Sequence, residues 1–236
     1  MSFPGYPSSP VEEGQASVGG YQPAKLKVYQ DLIDQKLLRS PQVLSMMNVK
    51  YILSSQNPNH PAFTQVAPGI YEFHGAQPRA WFVPAWRSLP DEASILRVMG
   101  GRDFDPASIA LFPQAHAPSI AASGLPVREV TVESDDERGL RLRVGEGDGP
   151  GLLIVSDIYY APGWRATIDG NAVPILQANH VLRGVEVPAG AHVIEMRIES
   201  RGYRIGRLLN RIGGLALLLL AGIGLLQARQ ERMSSR

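Results

Sequence analysis

A chain of 236 residues, 44% hydrophobic and 19% charged, is long enough for one large or two small domains with buried cores, which excludes disorder throughout. Its formal net charge of +1 offers no general attraction for nucleic acid or acidic substrates. The absence of cysteine excludes a disulfide framework, a thiolate zinc site and a cysteine nucleophile.

Residues 1–19, "MSFPGYPSSPVEEGQASVG", read as a flexible segment with neither a basic n-region nor an apolar h-region. The expectation is therefore that the bulk of the chain stays cytoplasmic or that an upstream portion is missing. Residues 20–125 read as a mixed α/β region. Leu26, Tyr29, Ile33 and Leu37 form a helical stripe between Pro23 and Leu38, and Ser40-Pro41 supplies an N-cap and first-turn proline for a short second helix. "NVKYIL" (Asn48 to Leu53) and "AWFVPAW" read as strands, Pro90 to Met99 as a helix opened by Asp91 and Glu92, and the surroundings of Ile109 as a short strand. "APSIAASGLP" reads as a linker.

Beyond Val127 the period becomes two: "VREVTVE", "LRLRV", "LLIVSD", "WRATI", "VLRGVEV" and "HVIEMRIE" are separated by turn-rich pieces. This predicts an antiparallel β-sandwich, jelly-roll or Ig-like, over 126–200. In "WRATI", Trp164, Ala166 and Ile168 fall on one face and Arg165 and Thr167 on the other, so Trp164 reads as a core residue. Asp169-Gly170 supplies the positive φ angles of a tight hairpin, and Pro188-Ala189-Gly190 turns the next pair. Tyr159 and Tyr160 precede the strand on a loop, where exposed tyrosines stack well on a sugar ring. Asn179, with a donor and an acceptor for hydroxyls, and Arg183, a partner for phosphate or carboxylate, are expected at the same edge, giving Tyr159, Tyr160, Asn179 and Arg183 as a candidate glycan-binding set. The alternative at these positions is a turn cap for Asn179 and a solvent-facing Arg183.

The C-terminal run "IGGLALLLLAGIGLLQA" reads as a transmembrane helix. From Leu208 to Leu226 such a helix covers about 28 Å against a hydrocarbon core of roughly 30 Å. Arg201, Arg204, Arg207 and Arg211 recur at helical spacing just before it, and are expected to meet headgroups at the membrane interface. Residues 201–228 are thus expected to form a basic lead-in and span, and 229–236 a polar tail. Arginines on both sides leave the orientation undecided by charge.

No catalytic constellation emerges. His60, His74, His116, His180 and His192 lack metal-ligand spacing, so no metal site is expected, and no cofactor motif is present. "ESDDER" reads as a solvated hairpin turn, "GEGDGPG" lies between strands and is no phosphate cradle, and Asp103 and Asp105 in "RDFDP" read as turn formers.

"LLIVSDIYYAPGWRATIDGNAVPILQANHVLRGVEVPAGAHVIEMRI" resembles the C-terminal extracytoplasmic part of the YfhO family of bacterial multi-pass membrane proteins. "GGYQPAKLKVYQDLID", "LSMMNVKYIL" and "PRAWFVPAWRSLPDEASILRVMGGRDFDPASIAL" look like family segments in the same order. The resemblance implies kinship with GT-C glycosyltransferases, which take lipid-linked sugar donors at the outer membrane face. Those enzymes carry their acidic catalytic residues after a first membrane helix that this chain lacks, so no catalytic residue is carried over and enzyme activity of the chain by itself is left open. The implied function is a membrane-anchored, non-catalytic extracytoplasmic portion of such a transferase, single-pass in this chain. Its implied partners are the bilayer, an upstream membrane part of the same protein, and a glycan acceptor or polyprenyl-phosphate sugar. The alternative is a self-sufficient anchored binding or structural module.

Overall fold

A computed structural model describes residues 26–136, 139–160, 162–199, 206 and 209–214. They fall into two units, one of residues 26–160 with Arg165–Arg197, the other of Pro162–Trp164 with the residues from Ile198 onward.

The first unit is built mainly of strands. Its helices are α1 (Lys27–Asp34), α2 (Pro41–Met46) and α3 (Glu92–Met99), none longer than eight residues. Helix α1 ends where Lys36 turns left-handed at φ 57°, and α2 starts with Pro41 in its first turn. Ser40 occupies the N-cap position of α2, but its hydroxyl donates to Gln42 Oε1 and does not cap the helix. Asp91 does cap α3, accepting from the Ser94 backbone N–H at 2.7 Å, and Ile95 and Met99, one turn apart, are its buried residues.

Strands β1 (Tyr51–Leu53), β2 (Phe63–Ala67) and β3 (Ile70–Phe73) make a small antiparallel sheet in the order β1-β3-β2. Strands β5 (Ala85–Leu89) and β6 (Ile109–Pro113) pair in parallel, with α3 in the crossover such a pair requires.

The two larger sheets are antiparallel. One has the order β12-β13-β9-β4, from Leu176–Ala178, Leu182–Val187, Gly151–Val155 and Ala80–Val83. Every residue of β4 and β9 is buried, which is why both are written as unbroken apolar runs without alternation. Trp81, Val83, Leu152, Ile154 and Leu182 join a core with Leu32, Val43, Met46, Ile95, Met99, Leu111 and Phe112. The intervening Phe82, Leu153, Val155, Val185 and Val187 are buried on the opposite face. Because β4 pairs with β9, this sheet joins residues on both sides of position 125.

The other sheet has the order β11-β10-β14-β8-β7, from Asn171–Val173, Trp164–Ile168, His192–Ile198, Gly139–Val144 and Val130–Asp136. Here one face is apolar and buried, with Leu140, Leu142, Val144, Ala166, Ile168, Ile194 and Met196, and the other is charged. Glu133 pairs with Arg141 at 2.8 Å and also with Arg143, while Glu195 pairs with Arg141 and, at 3.1 Å, with Arg197. Such exposed pairs contribute about 0–1 kcal/mol each, but a charged outer edge discourages pairing with another chain. The β10–β11 turn has Asp169 at φ 50° and Gly170 at φ 83°, the two positive angles that an Asp-Gly hairpin supplies. In the second unit, Gly163 sits at φ 87° and its carbonyl accepts from Glu199 N at 2.5 Å.

Two expectations are corrected. The fold is not α+β with a small mixed α/β region followed by an antiparallel β-sandwich. It is mostly β-sheet with a few short helices, because "AWFV" adds as an edge strand to β9 and "FTQVA" and "IYEF" form an unanticipated hairpin. The C-terminal transmembrane helix is likewise not supported: among the described residues no helix is long and apolar enough to cross a membrane. Leu209 is 61% and Ile212 55% exposed. The remainder of the expected span lies outside the described residues. Trp164 is only partly buried; the enclosed indole is Trp81, whose Nε1 donates to Pro106 O at 2.9 Å.

Phe112 is fully buried and meets Trp86 edge-to-face at 6.2 Å. Phe112→Ala is expected to cost about 3–5 kcal/mol in denaturant unfolding followed by tryptophan fluorescence, whereas Val132→Ala, on an exposed strand position, is expected to stay within about 0.5 kcal/mol.

Candidate functional site

The polar residues singled out from sequence gather around the short connection between β12 and β13. Asn179 and His180 both adopt left-handed backbone angles there, φ 46° and 62°. Asparagine tolerates this region, while for histidine it is uncommon and is held by its surroundings. Asn179 N donates to Leu111 O at 2.8 Å and Asn179 Oδ1 accepts from Leu111 N at 2.8 Å, a reciprocal pair that ties the bend to β6. Gln177 Nε2 donates to His180 O at 2.5 Å and Val181 N to Asn179 O at 2.6 Å, closing the bend from within.

Arg183, on β13, is 3% exposed. Its guanidinium donates to Ile158 O at 3.2 and 3.0 Å and pairs with Asp157 at 2.8 Å. Burial pushes the Arg183 guanidinium below its ordinary value, and the nearby Asp157 carboxylate opposes that shift. Arg79 meets the same Asp157 at 3.5 Å and Asp135 at 2.8 Å. Tyr159 N donates to Val181 O at 2.7 Å, so the loop after β9 is laced to the bend by main-chain and arginine bonds.

The four candidate glycan residues therefore separate. Asn179 is fully buried and faces β6. Arg183 does reach the tyrosine loop, but its donors go to that loop's own carbonyl and carboxylate. Tyr159 is half-buried and Tyr160 is 43% exposed, so Tyr160 is the most accessible of the four. Of the four arginines expected at a membrane interface, Arg201, Arg204 and Arg207 lie outside the described residues, and Arg211 is exposed.

Two groupings were not anticipated. Asp31 of α1, Glu92 of α3 and His180 place one potential ligand atom each within 4.8 Å of one another. Asp31 and His180 are 149 positions apart, so no spacing rule connects them. Asp105, by contrast, behaves as the turn former expected, accepting from Ala107 N at 3.0 Å.

The second grouping lines an open cavity of about 370 Å³ on the five-stranded sheet, with Glu129, Arg143, Glu146, Asp169 and His192 among its walls. His192 Nδ1 lies 2.6 Å from Asp169 Oδ2 and its Nε2 lies 2.9 Å from Ala189 O, so both ring nitrogens face acceptors. Only the imidazolium satisfies both. The hydrogen bond to Asp169 accordingly raises the His192 pKa above its ordinary value. The same bond, with one from Val193 N, lowers that of Asp169.

Residues 121–210, which span β7 to β14, match the family model described as bacterial membrane protein YfhO. No curated protein and no solved structure matches the chain.

The sign of the His192–Asp169 contribution follows from those directions. The raised histidine adds stability that is full below its unfolded pKa of ~6.5 and disappears as pH rises through its higher folded value. The lowered aspartate adds stability above its unfolded value of ~3.9 that disappears as pH falls through its lower folded one. The difference in urea midpoint between the wild type and His192→Gln is expected to be largest near pH 5 and to shrink towards pH 9. A difference independent of pH contradicts the ion pair.

Proposed function

We propose that this chain, YfhO-family over residues 121–210, is the extracytoplasmic, non-catalytic portion of a bacterial membrane protein that works with lipid-linked sugars in the manner of GT-C transferases. The family match carries this reading, since it covers the β7 to β14 sheets and the family is one of membrane proteins. The site chemistry is compatible with a docking role. Asn179 N and Oδ1 and the Arg183 guanidinium are bonded within the fold, while Tyr160 is 43% exposed beside that framework. A sugar ring stacks on an aromatic face through its C–H groups. In this reading the partners are the bilayer, the membrane part of the same protein and a glycan acceptor or polyprenyl-phosphate sugar.

The test uses the full 236-residue chain in detergent. Titration with cell-envelope oligosaccharides is expected to move the Tyr159 and Tyr160 ring resonances at millimolar glycan, leaving the Asn179 amide still, and Tyr160→Ala is expected to abolish the response. Stationary tyrosine signals in a folded sample overturn the glycan contact. Sugar transfer from a polyprenyl-phosphate donor by the isolated chain overturns the non-catalytic assignment.

A further inference from the structure

The Asp31–His180–Glu92 cluster has a property that neither the family match nor the tyrosine loop explains: a buried ring nitrogen of His180 has no hydrogen-bond partner, with a carboxylate oxygen just beyond reach. His180 is fully buried. Its Nε2 lies 3.0 Å from Asp31 Oδ2. An ionised carboxylate only accepts, so this contact puts a ring proton on Nε2, and in the neutral tautomer Nδ1 carries the lone pair. That Nδ1 is enclosed and has no hydrogen-bond partner. It looks towards Glu92 Oε2 at 3.8 Å, too far for a direct hydrogen bond.

A zinc ion with bonds of about 2.1 Å to both atoms would hold tetrahedral ligands about 3.4 Å apart, so a movement of about 0.4 Å by Glu92 completes the geometry. The Glu92 side chain is 45% exposed and can make that adjustment.

We propose that His180 Nδ1 and Glu92 bind a divalent first-row transition-metal ion of the zinc type, with Asp31 acting from behind the ring. The carboxylate–histidine–metal arrangement is a recurring one, in which the outer carboxylate fixes the tautomer and makes the imidazole a better ligand. An imidazole nitrogen together with a carboxylate suits zinc and its neighbours in the series; calcium and magnesium prefer all-oxygen sets. With two protein ligands, the site binds more weakly than a closed four-ligand structural zinc centre. Zinc there joins α3 to the β12–β13 bend, and through Asp31 engages α1. The assignment stands apart from the glycan reading, since its residues lie outside both the tyrosine loop and the His192 cavity.

The experiment is a zinc titration of the tag-free full chain in detergent, read by calorimetry and by histidine-ring ¹⁵N spectra. The expected result is one zinc equivalent, with the His180 Nδ1 resonance displaced and Nε2 still protonated. Glu92→Gln is expected to weaken binding at least about 10-fold, and Asp31→Asn by about 10–100-fold. Both variants change a partly exposed side chain to its isostere, so retained circular dichroism separates lost binding from lost folding. An unmoved His180 resonance at about 100 μM zinc, unchanged affinity in Glu92→Gln, or equally tight binding of magnesium overturns the proposal.

Discussion

The reciprocal hydrogen bonds between Asn179 and Leu111 decide more of this structure than any other polar contact. They join the β12–β13 bend to β6, and so attach the four-stranded sheet to the parallel β5–β6 pair that carries α3. Leu111 is itself buried, so its N–H and C=O need partners inside the protein. An asparagine with a left-handed backbone meets both needs from one residue. Leaving such a buried group unpaired costs about 1–3 kcal/mol. The bend this creates forces His180 inward as well, between α1 and α3. A packing requirement at β6 thus places a histidine next to two carboxylates.

Buried arginines serve the architecture in the same way. Arg183 holds the loop after β9 through Ile158 O and Asp157. Arg128 donates to Pro188 O at 2.8 Å and to Gly190 O at 3.0 Å, with its guanidinium 5.3 Å from the centre of the Phe82 ring. A guanidinium carries five donors and no acceptor, so it suits turns whose carbonyls point into the protein. The charges on β7, β8 and β14 behave differently. Water screens them, and their value lies in keeping one sheet face soluble and its edge strand unpaired.

Among the described residues, the exposed Tyr160 and the cavity walled by Asp169, His192, Arg143 and two glutamates lie outside these buried polar frameworks. The cavity includes the Asp169–His192 pair, whose proton content changes with pH, and the tyrosine loop is tied down by main-chain bonds.

Local chemistry made much of the fold legible in the sequence. "LRLRV" and "HVIEMRIE" declare strands because one side of their sheet meets water, so polarity alternates with the pleat. Asp91 announces α3, and Asp169-Gly170 announces a hairpin, because a cap and a positive φ are properties of a few adjacent residues. The β2–β3 hairpin escaped notice because β2 is largely exposed and carries little periodic contrast. The apolar C-terminal run was legible as composition, and most of it lies outside the described residues. Asn179, His180 and Arg183 were legible only as polar residues, for which the default expectation is the surface. Their burial was decided by partners far away in the chain: Leu111 for Asn179, Asp31 for His180, Ile158 and Asp157 for Arg183. Capping, turning and alternation are settled among neighbours, so the sequence alone determines them. A buried polar group costs least where a distant group arrives to satisfy it, and that pairing requires the completed tertiary structure.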